Sequence, residues 1–412
     1  MPEEAKNGGG SGEVGRLKKV ALMALALILA VALIAGCGQQ KSGAEKQGAT
    51  GGNTINIGVN YELSGDVATY GTNSKDAILL AFEEINQKGG VLGGKKINAI
   101  VLDNGGKKEE AMSAAAKLIT ENKVVALLGP ATSGATMAAS TMATKYKVPI
   151  ISPSATSPDV TVDPQSKKVR DYVFRVCFID PTQAIVGAEF ATKDLGAKKA
   201  AIIYSNSDEY SKGLYKVFKE EFAKDGGQVV AEESFNSGDQ DFRPALTRVK
   251  DAGADLIYVP AYYGDVGKIV NQARELGIKV PMLGADGWDS PKLAEYAGGA
   301  ANLNNTYFTN HYAASDPNPR LQAFIKAFKA KYNKEPDAFA ALAYDTAYLL
   351  ADAINRAGSA DPEAIRNALA STKDFEGITS KITIDQNHNP VKDVAIIAMV
   401  DGKQTLKKKI TH

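Results

Sequence analysis

Short apolar runs alternate with longer amphipathic runs along the chain from residue 53 onward. The run "INIGV" precedes a helical pattern over residues 74–87, whose apolar side chains fall on one stripe. "INAIVLD", "VVALLG" and "VPIIS" follow, each separated from the next by a helical stretch. Continuous apolar strands that alternate with helices are typical of a parallel sheet covered on both faces. The pattern therefore predicts a doubly wound α/β unit.

The same alternation begins again after a polar stretch at residues 159–170. The runs "YVFRVCF", "AAIIY", "QVVAEESF", "DLIYVP" and "VPMLG" read as strands, and several intervening helices end at a glycine, as helix C-termini prefer. Two successive Rossmann-like units of similar size predict two lobes with a ligand cleft between them.

The alternation of strands and helices stops in the C-terminal part. Two long helical patterns cover residues 320–332 and 339–357, and a strand-rich stretch runs from about 378 to 408. Because no third α/β unit begins there, we expect this part to return and complete the first two. We assign residues 53–174 plus 310–386 to lobe I and residues 175–309 plus 387–412 to lobe II, joined by crossover hinge strands.

The N-terminal 37 residues have the pattern of a signal peptide. A basic segment, "RLKK", precedes an apolar run of about 16 residues, which is short for a membrane span of ~20. The run ends "LIAGC", which resembles a bacterial lipobox with Cys37 as the lipid attachment site; a signal anchor with an incidental cysteine is the alternative. Residues 38–52 lack large apolar side chains and are expected to form a flexible tether.

Charge excludes one class of partner. Residues 1–37 hold four of the 48 basic and three of the 47 acidic side chains, so 44 of each remain. A balanced surface argues against nucleic-acid binding, which needs a cationic stripe. The other cysteine, Cys177, is expected to be a buried small hydrophobe.

No catalytic or metal motif stands out. G-x-S-x-G, H-E-x-x-H, C-x-x-C and EF-hand patterns are absent from the sequence, and its three histidines are isolated along it. The stretch "GPATSGAT" has the glycine spacing of a P-loop, but Ala135 stands where the phosphate-binding lysine would be. We therefore expect no enzyme activity, no metal and no cofactor.

Three strand-to-helix turns carry polar residues at the carboxyl ends of parallel strands, where ligands bind in such folds. In "GPATSGAT", Ser133 either caps the next helix or helps its N-terminus to hold an anion such as a carboxylate. In "ISPSATSP", Ser154 and Thr156 belong to a hydroxyl cluster in a proline-stiffened loop, or to an ordinary polar loop.

The third turn, "GADGWDSPKL", contains two carboxylates. Asp289, followed by Ser290-Pro291, is expected to cap the next helix, which leaves Asp286 without an evident local role other than an Asx-type turn. A free carboxylate at a cleft suits an ammonium group. An anion-binding site on one lobe, for the carboxylate, and Asp286 on the other, for the ammonium group, would match a zwitterionic α-amino acid.

Tyrosines fall in the loops that follow several predicted strands. Tyr70 follows the first strand, Tyr210 follows "AAIIY", and Tyr262 with Tyr263 follows "DLIYV". A tyrosine in a cleft offers an apolar wall with a hydrogen-bonding tip, although each could instead pack between lobes.

With these motifs in order, the sequence resembles the leucine/isoleucine/valine-binding family of extracytoplasmic receptors, which have the type I periplasmic-binding fold and serve ABC importers. The segments that carry the resemblance span residues 53–412 and include "SGDVATYG", "GPATSGAT", "ISPSATSP", "FRVCFIDPTQA" and "GADGWDSPKL". The resemblance implies that hydroxyl loops of lobe I hold the ligand's main-chain groups and that lobe II adds a carboxylate and tyrosines. The positions that match are Tyr70, Ser133, Ser154, Thr156, Tyr210, Tyr262, Asp286 and Phe339.

The resemblance also implies a partner and a location. We expect a monomeric, lipid-anchored receptor outside the cell membrane that binds a branched-chain amino acid and delivers it to an ABC permease. The alternatives are a receptor of the same fold for amides, urea or aromatic acids, and a surface-anchored ligand sensor. Some relatives have glutamate at the position of Asp286 and a lobe I disulfide that this chain cannot form, which leaves the preferred side chain open.

Overall fold

The computed structural model describes residues 52–410. The signal peptide, Cys37 and all but the last residue of the tether lie outside this range. Within it, none of the helices has the length and apolarity needed to span a membrane.

The first sheet consists of five parallel strands in the order β2-β1-β3-β4-β5. They are β1 (Thr54–Tyr61), β2 (Lys96–Asp103), β3 (Leu127–Leu128), β4 (Ile150–Ser152) and β5 (Val173–Arg175). The central strands β3 and β4 are wholly buried, as their continuous apolar sequences predict.

The second sheet has seven strands in the order β14-β13-β10-β9-β8-β6-β7. They are β6 (Lys199–Ser205), β7 (Gln228–Phe235), β8 (Leu256–Val259), β9 (Met282–Gly284), β10 (Thr306–Asn310), β13 (Val394–Val400) and β14 (Lys403–Ile410). The first five of these are parallel, whereas β13 is antiparallel to β10 and β14 to β13. A small antiparallel pair, β11 (Phe375–Glu376) and β12 (Lys381–Ile382), stands apart.

Helices connect these strands. Their bounds are Ala68–Gln87, Lys108–Thr120, Ser133–Tyr146, Asp180–Glu189, Glu209–Lys224, Arg243–Asp251, Tyr263–Glu275, Leu293–Tyr296, Pro319–Tyr332, Ala338–Ala357 and Pro362–Ala370. A π-helical segment, Phe190–Asp194, continues the fourth of them. The prediction of two doubly wound α/β units is therefore confirmed, with two antiparallel strands added at one edge of the second sheet.

The C-terminal part does not form a third unit. Helix Ala338–Ala357 packs along helix Ala68–Gln87 beside the first sheet, while β13 and β14 extend the second sheet. The chain thus passes between the two sheets after β5, after β10 and before β13. The exact division into lobe I and lobe II stays a prediction.

One helix begins earlier than the sequence predicted. The apolar stripe indicated a start near residue 74, but the helix begins at Ala68, so Tyr70 lies in its first turn and not in a loop. The first turn packs on the end of β1. Gly71 makes this contact possible: a Cβ there would lie 2.2 Å from the carbonyl oxygen of Glu62. Tyr210 is likewise within a helix, as its second residue.

Candidate functional site

The turn after β3 is shaped by Gly129. This residue has φ +85°, and a Cβ on it would approach the carbonyl oxygen of Asn60 to 2.4 Å. Only glycine fits both constraints without displacing the backbone. The turn leads into helix Ser133–Tyr146, whose first N–H groups need acceptors from outside the helix.

A carboxylate of the protein itself occupies part of the anion-binding site that the sequence predicts at this turn. Glu62, at the end of β1, is fully buried, and its two carboxylate oxygens accept hydrogen bonds from the N–H groups of Ala131 and Thr132, both at 3.0 Å. The Thr132 hydroxyl donates to the same carboxylate at 2.8 Å. Burial raises the pKa of Glu62, while these hydrogen bonds oppose that shift. Glu62 therefore fixes the turn, and the N–H groups left for a ligand begin at Ser133.

Ser133 is the first residue of the helix, and Thr132 takes the N-cap position without a side-chain capping bond. The Ser133 hydroxyl accepts from the N–H of Ser157 at 3.1 Å, so it binds the neighbouring loop and does not cap its own helix. Ser154 Oγ donates to the carbonyl of Ala131 at 2.9 Å. The two hydroxyl-bearing turns are therefore bonded to each other, which holds both serines in place.

Asp286 follows β9 and is buried, with 2% of the residue exposed. Its Oδ1 accepts from Gln183 Nε2 and from the Tyr210 hydroxyl, both at 2.8 Å. Its Oδ2 lies 3.0 Å from His311 Nε2. This is a side-chain network and not an Asx turn. A carboxylate has about four acceptor positions, so three contacts leave room for one more donor.

The charge of Asp286 is not cancelled by its neighbours. Burial lowers the pKa of His311, against the opposing effect of Asp286, so the imidazole is neutral near pH 7. Burial also raises the pKa of Tyr210 well above its usual value, so the phenol keeps its proton. The contacts orient the carboxylate through neutral donors, which suits a cationic ligand group.

The predicted capping role of Asp289 is wrong. Its Oδ2 accepts from Asn310 Nδ2 and from the N–H of Ala338, both at 2.9 Å, and its Oδ1 accepts from Gln404 Nε2 at 2.6 Å. The carboxylate therefore lies at the N-terminus of the distant helix Ala338–Ala357, where a negative charge is favourable. The turn following it is instead stabilised by Ser290, whose Oγ accepts from the N–H of Lys292.

Aromatic rings form a continuous wall beside these polar groups. Tyr70 stacks on Phe339 with centroids 3.9 Å apart, and Tyr210 stacks on Tyr262 at 5.0 Å. Tyr70 meets Tyr262 edge to face at 5.8 Å. The Tyr70 hydroxyl also donates to the carbonyl of Gly287. The wall therefore combines side chains that flank the first sheet, Tyr70 and Phe339, with side chains that flank the second, Tyr210 and Tyr262.

These groups surround one small pocket of about 210 Å³. The lining residues are Tyr70, Ala131, Thr132, Ser133, Ser154, Tyr210, Tyr262, Asp286, Gly287 and Phe339. Seven of the eight residues predicted from the sequence are among them.

Thr156 is the exception. It is buried, and its carbonyl accepts from the N–H of Asp180 at 2.9 Å, but it does not line the pocket. Asp180 is also fully buried, and burial raises its pKa to about 8, so its carboxyl group is largely protonated at pH 7. Thr156 therefore links the loop that carries Ser154 to the start of helix Asp180–Glu189.

Three residues at the site, Glu62, Gln183 and His311, were not predicted from the sequence. Glu62 and His311 each directly follow a strand, β1 and β10, so the strand-end rule could have found them; His311 was considered only as a metal ligand. Gln183 lies inside a helix, and no local pattern marks it. Within residues 52–410, no group of three or more metal-binding side chains forms. Cys177 is buried as a free thiol, as predicted.

Comparison with known proteins agrees with this architecture. The family profile described as "Periplasmic binding protein" matches residues 54–404. The chain is 32% identical to the Leu/Ile/Val-binding protein BraC3 of Rhizobium johnstonii over 330 residues, which cover 80% of this chain and 87% of that protein.

Two solved structures are similar over 87% of this chain and 99% of their own. One is the branched-chain amino acid transporter substrate-binding protein LivJ of Streptococcus pneumoniae in complex with isoleucine, at 41% identity and a TM-score of 0.81. The other is the leucine-binding protein LivK of Thermotoga maritima, at 37% identity and a TM-score of 0.80. The chain belongs to the periplasmic binding protein family.

Proposed function

We propose that this protein captures a branched-chain amino acid in the pocket between its two sheets and delivers it to an ABC permease. The observation that carries the proposal is the placement of Asp286 and of Ser133 with Ser154 around one pocket of about 210 Å³. A carboxylate facing a hydroxyl-lined helix N-terminus is complementary to a zwitterion.

Each part of the ligand has a counterpart. Asp286 accepts from the ligand ammonium, using the acceptor position that Gln183, Tyr210 and His311 leave open. The ligand carboxylate accepts from the first turn of helix Ser133–Tyr146 and from the Ser133 hydroxyl, whose proton is not used in its contact with the Ser157 N–H. The apolar side chain packs on the aromatic wall of Tyr70, Tyr210, Tyr262 and Phe339.

Closure of the two halves buries the ligand. Several contacts join the halves near the pocket in the structure, among them the following three. The Tyr70 hydroxyl donates to Gly287, Thr69 Oγ1 lies 3.0 Å from Ser290 Oγ, and Lys108 forms an ion pair with Glu209 at 2.9 Å. A ligand that contacts both halves favours this closed arrangement by its differential affinity for it.

The receptor acts outside the cell membrane. In this proposal the segment before Cys37 directs export, a lipid on Cys37 anchors the chain, and the tether that follows lets a monomer reach its permease. Mass spectrometry of the membrane fraction tests the anchor: a lipid-modified Cys37 at the mature N-terminus supports it, and an unmodified cysteine refutes it.

The alternative ligands differ from an amino acid in the group that would meet Asp286. Amides, urea and aromatic acids carry no α-ammonium group, and would leave the buried Asp286 carboxylate without its cationic partner, at a cost of several kcal/mol. The pocket therefore favours an amino acid.

A thermal-shift screen of the full chain tests the assignment. The panel contains the twenty amino acids, urea, small amides and benzoate, since ligands that bind the native state raise the Tm. We expect the largest increases with leucine, isoleucine and valine. A larger shift with urea, an amide or benzoate would refute the amino acid assignment.

A further inference from the structure

A second cavity lies against β13 and β14. It has a volume of about 380 Å³ and is lined by parts of residues 311–321, 378–381 and 391–395, together with Leu406 and Lys409. We call it the back pocket. None of its lining residues lines the amino acid pocket, although one of them, His311, contacts Asp286.

Lys392 is the principal polar group of the back pocket. It is 3% exposed although it carries an ammonium group. Its Nζ donates to Thr379 Oγ1 at 2.6 Å, and that hydroxyl donates to Asp345 at 2.5 Å. The ammonium therefore reaches a carboxylate only through a hydroxyl. One of its three N–H donors is used in this way among residues 52–410, and the remaining two are available to an acceptor in the cavity.

The electrostatic environment agrees with an incompletely compensated cation. Burial lowers the pKa of Lys392 to about 8, against the opposing effect of Asp345. The Asp345 carboxylate is already bound by the N–H groups of Ile378 and Thr379. An anion next to Lys392 would offset the cost of burying its charge.

Ser380 also lines the back pocket. Its Oγ is buried and has no hydrogen-bond partner within the described part of the chain. A buried hydroxyl without a partner is uncommon in folded proteins, and a bound acceptor would satisfy it. The cavity also has apolar walls, which include Leu321, Ile378 and Ala395.

The rim of the back pocket is close to neutral. Lys409 lies 3.6 Å from Asp316 and 3.4 Å from Asp393, and Lys381 pairs with Glu376 at 3.2 Å. These exposed charges compensate each other, so Lys392 is the cation that a ligand would meet inside. One ammonium and one hydroxyl match a single negative charge, whereas a phosphate dianion would need more charge-assisted donors.

We propose that the back pocket binds a small monocarboxylate with a short hydrocarbon chain. The carboxylate accepts from Lys392 Nζ and Ser380 Oγ, and the hydrocarbon packs on Leu321, Ile378 and Ala395. This site is separate from the amino acid pocket, so the proposal does not depend on the function proposed above.

The test is calorimetric titration of the full chain with sodium butyrate, in the presence of saturating leucine so that the amino acid pocket is occupied. Butyramide, a neutral molecule of nearly the same shape, is the matched ligand, and sodium chloride controls for ionic strength. We expect butyrate to bind at least tenfold more tightly than butyramide. Equal affinities, or no binding of butyrate, would overturn the proposal.

Two variants locate the binding. Lys392→Met keeps the length of the side chain and removes the charge, and it should weaken butyrate at least tenfold. Because this change also removes the cation near Asp345 and could impair folding, Ser380→Ala provides an independent check: its hydroxyl has no partner to lose. We expect Ser380→Ala to keep the wild-type Tm and to weaken butyrate about threefold or more. Wild-type butyrate affinity in Ser380→Ala would refute the site as drawn.

Discussion

Replacement of Asp286 by asparagine probes the proposed amino acid site at its charged end. Asparagine has nearly the same shape and can still accept from Tyr210 and Gln183 through its carbonyl oxygen. What it removes is the negative charge, at a position where the aspartate side chain is 3% exposed. The fold should therefore persist, while the ligand ammonium loses its counter-charge.

The expected loss follows from this burial. Removing one partner of a buried, hydrogen-bonded charge pair costs about 2–5 kcal/mol in binding. At about 1.4 kcal/mol per tenfold change, this corresponds to roughly a thirtyfold to a few-thousandfold weaker affinity for leucine. Asp286→Glu keeps the charge but extends the side chain into a pocket of about 210 Å³, so it should retain part of the affinity.

Isothermal titration calorimetry with leucine at pH 7 measures this loss, and the thermal unfolding curve of each variant reports on its fold. Asp180→Asn is the matched control, because Asp180 is also buried, does not line the pocket, and has a pKa of about 8 that keeps it mostly neutral at pH 7. We expect Asp180→Asn to change leucine affinity less than threefold. If Asp286→Asn folded normally and bound leucine within threefold of the wild type, the assignment of the ammonium to Asp286 would be refuted.

Three further predictions concern stability and closure. Gly129→Ala should lower the free energy of unfolding by at least about 2 kcal/mol in urea denaturation, because φ is +85° and the new Cβ would lie 2.4 Å from Asn60 O; an unchanged midpoint would contradict this. The contribution of Asp180 to stability should fall as pH rises from about 4 to 8, because Asp180 ionises near 3.8 when unfolded but near 8 when folded. The Tm of Asp180→Asn relative to the wild type should thus rise by at least about 2 °C between pH 5 and pH 8, and a constant difference would rule out the raised pKa. Tyr70→Phe loses the hydrogen bond to Gly287 while keeping its ring, so calorimetry should show leucine binding about two- to tenfold weaker; full affinity would mean that this contact does not stabilise the closed form.

Much of the fold could be predicted because its signals are local. Each buried parallel strand is a continuous apolar run, and glycines end many of the helices, so the order of elements is visible in the sequence. The strand-end rule found Asp286 and Ser133 for the same reason: each lies in the turn after a strand that the pattern identifies, β9 and β3.

The remaining features depend on contacts between distant segments. Glu62 reaches the turn at Ala131, and Gln183 reaches Asp286 over 103 positions of sequence. Asp289 was misassigned because its position before Ser290-Pro291 resembles a helix cap, whereas its acceptors are used by residues far along the chain. Local patterns cannot report such pairings, since they arise only when the two sheets and the C-terminal segments come together.

A high-resolution crystal structure of the protein with L-leucine would show the proposed ligand contacts. We expect the ligand to lie between the two sheets, with its ammonium nitrogen about 3 Å from the Asp286 carboxylate. Its carboxylate should accept from the first turn of helix Ser133–Tyr146, and its side chain should contact Tyr70 and Phe339. Leucine bound in the reverse orientation, or at another place on the molecule, would refute the proposed binding mode.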